Sequence, residues 1–296
     1  MPHLESSWGE RMKLMYFPGC TLKTTAKNYE DSALAVSKKL GLELIELDRW
    51  NCCGVVFNLA MDSVMHHIGA VRDLIRAQEM SSKVNDNRLV TLCSMCYNVL
   101  KRTHQLMLND PEKLRTANEF MDREIDYEGN IEVLHFLQVL RDVVGFDKIE
   151  EMVVKPLKGL KVASYYGCMI LRPKEIQIDD YRNPMVLNEL MEKLGAESSK
   201  FPYETKCCSA YDVVYDRNIA VERALEIRKA AVRWGANIIV TTCPLCHYNL
   251  NLPTRGPEIP VVYFTELMCV AFGVDDVLSP EVRKVIYSLM EEGENE

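Results

Sequence analysis

Residues 91–98 read TLCSMCYN and residues 241–248 read TTCPLCHY, so the same Cys-x-x-Cys motif occurs twice, 150 residues apart. Each motif completes a five-cysteine pattern: a single cysteine, an adjacent pair, and then the motif. Two copies of this pattern account for ten of the eleven cysteines. The copies consist of Cys20, Cys52, Cys53, Cys93 and Cys96 in the first half, and of Cys168, Cys207, Cys208, Cys243 and Cys246 in the second. The repeat indicates a duplicated scaffold with one thiol-rich site in each half.

The length and composition of the chain fit a protein with two globular domains. Its 296 residues are 48% apolar and 26% charged, as in soluble globular proteins, and a repeat near 150 residues favours two cores. We therefore expect one domain over residues 1–150 and a second over residues 151–296. A net charge of −8, without a clustered Lys/Arg stripe, argues against nucleic acid as a partner.

The sequence shows no apolar run of signal-peptide length and none long enough to span a membrane. It therefore predicts a cytoplasmic protein without a membrane span. Cytosolic cysteines in motif spacing are more often metal or redox groups than disulfides, and a chain of this size does not need disulfides to fold. The cysteines are thus expected to serve a metal or redox centre.

Strand-like and helical segments alternate in both halves, which predicts an α/β fold in which helices flank a parallel sheet in each domain. The strand-like segments are residues 13–17, 42–47, 88–92, 161–166 and 237–241. The helical segments are residues 28–40, 58–81, 93–107, 183–194 and 218–234, and Pro244 suits the first position of one more helix. A closing segment recurs at 131–140 and 259–268, and the charged stretch 146–158 is expected to link the domains.

Every motif cysteine follows a predicted strand, directly or after a short loop. The strands of a parallel sheet all point the same way, so their following loops emerge at one edge, where α/β folds bind ligands. Cysteines far apart in sequence therefore converge. We expect five thiols at each sheet edge, with the duplication placing the two sites about a pseudo-twofold axis.

The arrangement of the sulfurs restricts the chemistry. A Cys-x-x-Cys motif at a helix start faces backbone N–H groups and the positive end of the helix dipole, which stabilise thiolates and anionic metal–sulfur centres. Side chains of adjacent cysteines diverge, so such a pair suits different metals of a cluster better than one ion. Five thiolates exceed the four that tetrahedral zinc or a cubane cluster needs. The pattern indicates either an unusual cluster, or four ligands and one reactive thiol.

The double pattern resembles the cysteine-rich CCG domain, which occurs twice in the B subunit of heterodisulfide reductase. The resemblance runs from about Met15 to Gly273 and includes YYGCMILRP at residues 165–173, which is similar to the family's second motif. It implies two homologous CCG domains, each with a non-cubane [4Fe-4S] cluster held by its five cysteines. One departure is Ser209, which follows the second cysteine pair where Gly54 follows the first. A different backbone turn is expected there, without loss of a ligand.

The resemblance also implies a function, that of the catalytic subunit of a heterodisulfide-reductase-type complex. Such an oxidoreductase cleaves a CoM-S-S-CoB-like disulfide reductively between the two clusters, and each substrate sulfur passes onto one cluster. Electrons would come from a flavoprotein subunit through a ferredoxin-like [4Fe-4S] subunit, because this chain has no recognisable flavin site or ferredoxin cysteine spacing.

Two other functions remain open. One is a CCG-domain electron-transfer subunit of another dehydrogenase or of a sulfur-oxidising complex. The other is a zinc-stabilised scaffold subunit without redox chemistry.

A few residues outside the two patterns are also candidates. His247 directly follows the second motif and is the candidate for donating to a cluster sulfur or a product thiolate. Cys269, in an apolar helical segment, is expected to be a small buried side chain. His66 and His67 are expected to be solvated or packed on a helix, and Lys206 to be exposed.

Overall fold

The computed structural model describes residues 11–55 and 63–294, which form two parallel four-stranded sheets. The first half contributes β1 (Met12–Phe17), β2 (Leu42–Glu46), β3 (Arg88–Thr91) and β4 (Glu132–His135). The second half contributes β5 (Lys161–Tyr165), β6 (Glu197–Ser199), β7 (Ile238–Thr241) and β8 (Val261–Tyr263). The strand orders, β2-β1-β3-β4 and β6-β5-β7-β8, are equivalent. The predicted α/β fold, built by duplication, is confirmed.

Helices flank both sheets. The first half has α1 (Gly19–Leu22), α2 (Lys27–Lys39), α3 (Ile68–Val84), α4 (Ser94–Asn109), α5 (Pro111–Phe120), α6 (Phe136–Gln138) and α7 (Phe146–Glu151). The second half has α8 (Val186–Lys193), α9 (Asp212–Tyr215), α10 (Arg217–Arg233), α11 (Pro244–Leu250), α12 (Phe264–Phe272) and α13 (Pro280–Glu294). None of the helices in the described ranges combines the length and apolarity that a bilayer span requires.

Local sequence explains where the elements begin. The central strand β7 is buried along its whole length, as is typical of a parallel strand covered on both faces. The Asp110 side chain accepts a hydrogen bond from the Lys113 N–H and caps α5. Pro244 occupies the first position of α11, as predicted. These signals involve residues that are close together in the sequence, so they can be recognised from the sequence alone.

Most predicted elements lie within three residues of their observed bounds. The exception is the helix predicted over 58–81: residues 58–62 lie outside the described residues, a 3₁₀ turn occupies Val64–His67, and α3 follows. The predictions omitted β6, α5 and α13. The sequence of β6, Glu-Ser-Ser, has no apolar alternation, and only Ala117 of α5 is buried, so neither element shows a strong pattern.

The two halves exchange their closing helices. Helix α12, which follows β8, packs against α2 of the first half, where the hydroxyls of Ser32 and Thr265 lie 2.7 Å apart. Helix α7, from the first half, packs against α8, and Lys193 Nζ lies 2.6 Å from a Glu150 carboxylate oxygen. The stretch 146–158 is therefore not a plain linker, because α7 forms its first part. The division into domains at residues 150 and 151 stays a prediction.

Hydrogen bonds also join the two Cys-x-x-Cys turns across the interface. The Tyr29 hydroxyl is buried and lies 2.8 Å from the Leu92 carbonyl oxygen and 3.3 Å from that of Thr242. The Tyr29 ring stacks on Tyr263, with 4.0 Å between the ring centroids. The hydroxyls of Ser94 and Thr242 lie 2.8 Å apart. Buried polar groups of one turn are thus paired by groups of the other.

Replacing Tyr29 by Phe removes the hydroxyl while keeping the stacked ring. We expect a loss of about 1 kcal/mol in the free energy of unfolding, because both carbonyls keep another donor. Urea denaturation under anaerobic conditions measures the change. Tyr248→Phe is the matched control, because Tyr248 is 54% exposed. Equal midpoints for the two variants would contradict a stabilising role of the Tyr29 hydroxyl.

Candidate metal centres

The first five cysteines lie at the carboxyl edge of the first sheet. Cys20 lies in α1, immediately after β1, and Cys52 and Cys53 lie in the loop after β2. Cys93 is the extended residue that precedes α4, and Cys96 lies in the first turn of that helix. Since β2, β1 and β3 are neighbours in the sheet, their three loops lie side by side.

The thiols of this first set influence one another. Cys53 Sγ lies 3.7 Å from Cys96 Sγ, and the thiols of Cys53 and Cys93 raise the pKa of Cys96. The hydrogen bond with Cys53, burial, and the charges of Cys53 and Cys20 raise the pKa of Cys52. The topology thus gathers the five cysteines at one sheet edge, with Cys53 and Cys96 in direct contact.

The second set repeats this placement at the edge of the second sheet. Cys168 follows β5, the pair Cys207 and Cys208 follows β6, and Cys243 precedes α11 with Cys246 in its first turn. Cys208 Sγ lies 3.4 Å from Cys246 Sγ. The hydrogen bond from Cys168 lowers the pKa of Cys207 to about 6, assisted by backbone N–H groups.

Backbone geometry is shared by the two sites. Gly19 and Gly167 have φ values of +71° and +67°, and a Cβ atom at either would lie 2.9 or 3.1 Å from Cys96 Sγ or Cys246 Sγ. Glycine is required there by conformation and by space. Ser209 has a φ of 60°. Gly54, which follows the first cysteine pair, has a φ of +80°, in the same left-handed region. The prediction of a different backbone turn at Ser209 is therefore wrong.

The two sets meet at the interface between the halves. Cys93 and Cys243 are both buried, and their thiols are close enough that the neighbouring Cys243 raises the pKa of Cys93. Both halves also line a cleft beside the second set. Its lining consists of Ser94, Met95, Tyr166, Cys168, Met169, Cys207, Cys208, Ala210, Tyr211, Cys243, Leu245 and Cys246.

The donors fit a metal–sulfur centre. Two thiolates on one tetrahedral ion, each at about 2.3 Å, lie about 3.8 Å apart, close to the distances in the pairs Cys53–Cys96 and Cys208–Cys246. Buried thiolates that lie close together raise one another's pKa unless positive charge is present. The neighbouring thiols of Cys53 and Cys93 raise the pKa of Cys96 in this way. Among the described residues, no three His, Cys, Asp or Glu side chains form a single-ion site. The fit to a metal–sulfur centre therefore rests on the two close sulfur pairs and on the preference of soft metal ions for thiolate ligands.

Two other predicted candidates are packed against neighbouring side chains. His247 is half-buried, stacks on Tyr263 with 4.3 Å between centroids, and loss of water around the ring lowers its pKa to about 4. A donor role for His247 stays a prediction. Cys269 is fully buried in α12, and its thiol donates to the Ser32 carbonyl at 3.5 Å, as expected for a small packed side chain.

His66, His67 and Lys206 occupy structural positions. His67 is buried, with Nδ1 2.9 Å from the Thr103 hydroxyl, and His66 lies in the same 3₁₀ turn. Lys206 Nζ pairs with a Glu226 carboxylate oxygen at 3.0 Å. These placements agree with packing and surface roles.

Tyr211 is a site residue that the sequence analysis missed. It lies three residues after Cys208, and its hydroxyl reaches the first half, 3.2 Å from Met95 Sδ and 3.4 Å from the Val55 carbonyl oxygen. The only signal in the sequence was an aromatic residue in a loop that follows a cysteine pair. Its contact across the interface depends on how the halves dock.

Known proteins resemble this chain in sequence and fold. The family model described as "Cysteine-rich domain" (CCG) matches residues 14–101 and 162–251. The 8-methylmenaquinol:fumarate reductase membrane anchor subunit of Wolinella succinogenes is 29% identical over 269 residues, covering 88% of this chain and 92% of that protein. A protein of Archaeoglobus profundus that is named as similar to the B subunit of heterodisulfide reductase is 30% identical over 282 residues, covering 89% and 92%.

A solved structure of a hypothetical protein from Helicobacter pylori shares the fold, with a TM-score of 0.66 at 13% identity, covering 90% of this chain and 50% of that one. This likeness concerns the fold alone. The family match covers both halves and includes all ten motif cysteines. The chain therefore belongs to the cysteine-rich CCG domain family, which includes the B subunit of heterodisulfide reductase.

Proposed function

We propose that the chain is the catalytic iron–sulfur subunit of a heterodisulfide-reductase-type complex and that it cleaves a small-molecule disulfide reductively. The observation that carries this proposal is the meeting of the two Cys-x-x-Cys turns, where Ser94 and Thr242 pair their hydroxyls next to the buried Cys93 and Cys243. Two redox centres held side by side suit a two-electron cleavage, since each can deliver one electron. The Archaeoglobus profundus relative supports the reaction class.

Two iron–sulfur clusters are the proposed cofactors, one in each set of five cysteines. When bound, they supply the electrons for cleavage. A non-cubane [4Fe-4S] form is supported by the number of thiolates, which exceeds the four that a cubane needs. The proposed ligands are the five motif cysteines of each half, and His247 is not among them.

In this proposal the disulfide lies against the outer side of the cleft, beside the second cysteine set. In the reaction the S–S bond breaks, two electrons and two protons enter, and two thiols leave. Met95, Tyr211 and Leu245 provide walls beside the second cysteine set, and thioether and ring surfaces suit an apolar disulfide. These walls also limit the access of water to the bond.

The electrons come from outside the chain, so a ferredoxin-like subunit and a flavoprotein subunit are the proposed partners. Cys20, Cys52 and Cys207 are exposed, which brings both sites to the surface where a donor subunit can approach. We propose accordingly that the complex lies in the cytoplasm.

A second candidate is an electron-transfer subunit of a fumarate-reductase-type complex. The observation that favours it is the similarity to the Wolinella succinogenes subunit over most of both chains. The two candidates share the clusters and differ in the final electron acceptor. Thiol formation from a disulfide therefore separates them.

Metal analysis of protein purified without oxygen tests the cofactors. We expect a brown protein with about eight iron atoms and acid-labile sulfide per chain, as two four-iron clusters require. Inductively coupled plasma mass spectrometry and a sulfide assay measure both. Stoichiometric zinc without sulfide would instead support the scaffold function.

Replacing Cys208 by Ser removes one donor of the second set at nearly constant volume. We expect loss of iron from one site and at least about a hundredfold loss of disulfide turnover, because metal-ligand changes typically cost that much or more. The assay follows oxidation of reduced viologen and counts two thiols per disulfide. Cys269→Ala is the control, since Cys269 lies outside both sets. Full activity and iron in Cys208→Ser would contradict the assignment.

A further inference from the structure

Asn51 and Asp73, two residues of the first half, form a polar contact directly beside the first cysteine pair. Asp73 lies on α3 and is fully buried. One of its carboxylate oxygens accepts the Asn51 backbone N–H at 2.8 Å, and the other lies 3.3 Å from Asn51 Nδ2. Asn51 is the residue before Cys52. A buried carboxylate therefore holds the backbone from which the first cysteine pair begins.

The Asn51 side chain extends this contact to the surrounding backbone. Its Nδ2 donates to the Gly69 carbonyl at 2.9 Å and to the Cys52 carbonyl at 3.1 Å, while its Oδ1 accepts from Arg76 at 3.1 Å. A Cβ atom on Gly69 would lie 3.2 Å from the Cys52 carbonyl oxygen, so α3 begins in close contact with the cysteine pair. Both polar ends of the Asn51 amide are thus paired, and the turn before the pair has one defined geometry.

In the part of the chain that the structure describes, the turn before the second cysteine pair is held without a buried carboxylate. Lys206, the residue before Cys207, donates its N–H to the Tyr203 carbonyl at 3.1 Å, and its carbonyl accepts from the Tyr165 hydroxyl at 2.5 Å. Phe17 and Tyr165 each contact the glycine that precedes the first cysteine of their set, and Phe17 has no hydroxyl to donate. The two turns are therefore fixed by different groups.

The Asp73 carboxylate also acts on the first cysteine set through its charge. Burial, and after it the charge of Cys53, raise the pKa of Asp73, so the two groups lie within electrostatic reach of each other. Arg76 acts in the opposite sense, and its Nη2 lies 3.5 Å from a Glu124 carboxylate oxygen. The net charge of a metal–sulfur centre and of its surroundings sets its reduction potential. Reduction adds negative charge, which a nearby buried anion opposes and a nearby cation favours.

We propose that Asp73 is a positioning residue for the first metal centre: it fixes the turn before the first cysteine pair through Asn51, and its buried charge lowers the reduction potential of that centre and not of the second. The two centres are therefore electrochemically distinct although their cysteine patterns are equivalent. The inference rests on the proposed function for the presence of the clusters, while the contact between Asp73 and Asn51 is independent of it.

Replacing Asp73 by Asn removes the charge and keeps an oxygen that can accept the Asn51 N–H. In the iron-loaded full chain we expect the reduction equilibrium of the first centre to shift about tenfold toward the reduced form, or about 59 mV, with the second centre unchanged. Redox titration followed by electron paramagnetic resonance measures both centres. The titration is run at pH 9, because burial raises the pKa of Asp73 and alkaline solution favours its ionised form. The Cys208→Ser protein, in which only the first set keeps five thiols, assigns the signals.

Glu79→Gln is the matched control. Glu79 lies on the same helix and pairs with Arg49 at 2.6 Å, but its side chain is 30% exposed, so water screens its charge and neither potential should move. Unchanged potentials of both centres in Asp73→Asn, or an equal shift in Asp73→Asn and Glu79→Gln, would overturn the inference.

A second variant tests the sign of the effect. Arg76→Gln removes a cation from the same network, so the potential of the first centre should fall. A turn that is only loosened gives no reason for opposite shifts in the two variants. If Asp73→Asn retains too little iron in the first set for a titration, Arg76→Gln decides: a lower potential supports the inference, and an unchanged or higher potential overturns it.

Turnover separates this inference from the proposed function. If Asp73→Asn shifts the potential of the first centre while the natural protein reduces no disulfide, the proposed function fails and the role of Asp73 stands. If the natural protein reduces disulfides and neither potential responds to the charge at residue 73, the proposed function stands and the inference is overturned. A chain that holds zinc without iron would overturn both.

Discussion

The hydrogen bonds between the two Cys-x-x-Cys turns are the interaction on which the rest of the structure depends. Ser94 and Thr242 pair their hydroxyls, and Tyr29 bridges the carbonyls behind both motifs. Each turn ends a central strand and begins a helix, so its polar groups would otherwise be buried without partners. Because the two turns satisfy each other, Cys93 and Cys243 lie buried on the two sides of these hydrogen bonds. Separating the halves would expose unpaired polar groups and divide the candidate redox site.

The exchange of closing helices makes this contact rigid. Helix α12 packs on α2 and α7 packs on α8, so each half completes the core of the other. The fully buried side chains of Phe136 and Phe264, one from each half, lie 6.3 Å apart between ring centroids. A duplicated chain thus behaves as one packed unit. That packing holds the two cysteine sets in a fixed relation to each other.

The duplication is not symmetric in detail. At the ends of the equivalent strands β4 and β8 stand His135 and Tyr263. His135 lies 2.8 Å from the Leu92 carbonyl through Nε2, while Tyr263 stacks on Tyr29. The cleft adjoins the second cysteine set, and Tyr211 forms part of its lining. A symmetric scaffold therefore carries an asymmetric site.

Sequence alone determined the alternation of strands and helices, the duplication, and the grouping of the ten cysteines into two sets. These features follow from local periodicity and from strand direction, which brings Cys20, Cys53 and Cys96 to one sheet edge. Only the tertiary structure decided that Ser94 pairs with Thr242, that His247 stacks on Tyr263, and that Tyr211 reaches Met95 of the first half. Those outcomes depend on how two separately patterned halves pack, and contacts across a packed interface leave no periodic signal in either half.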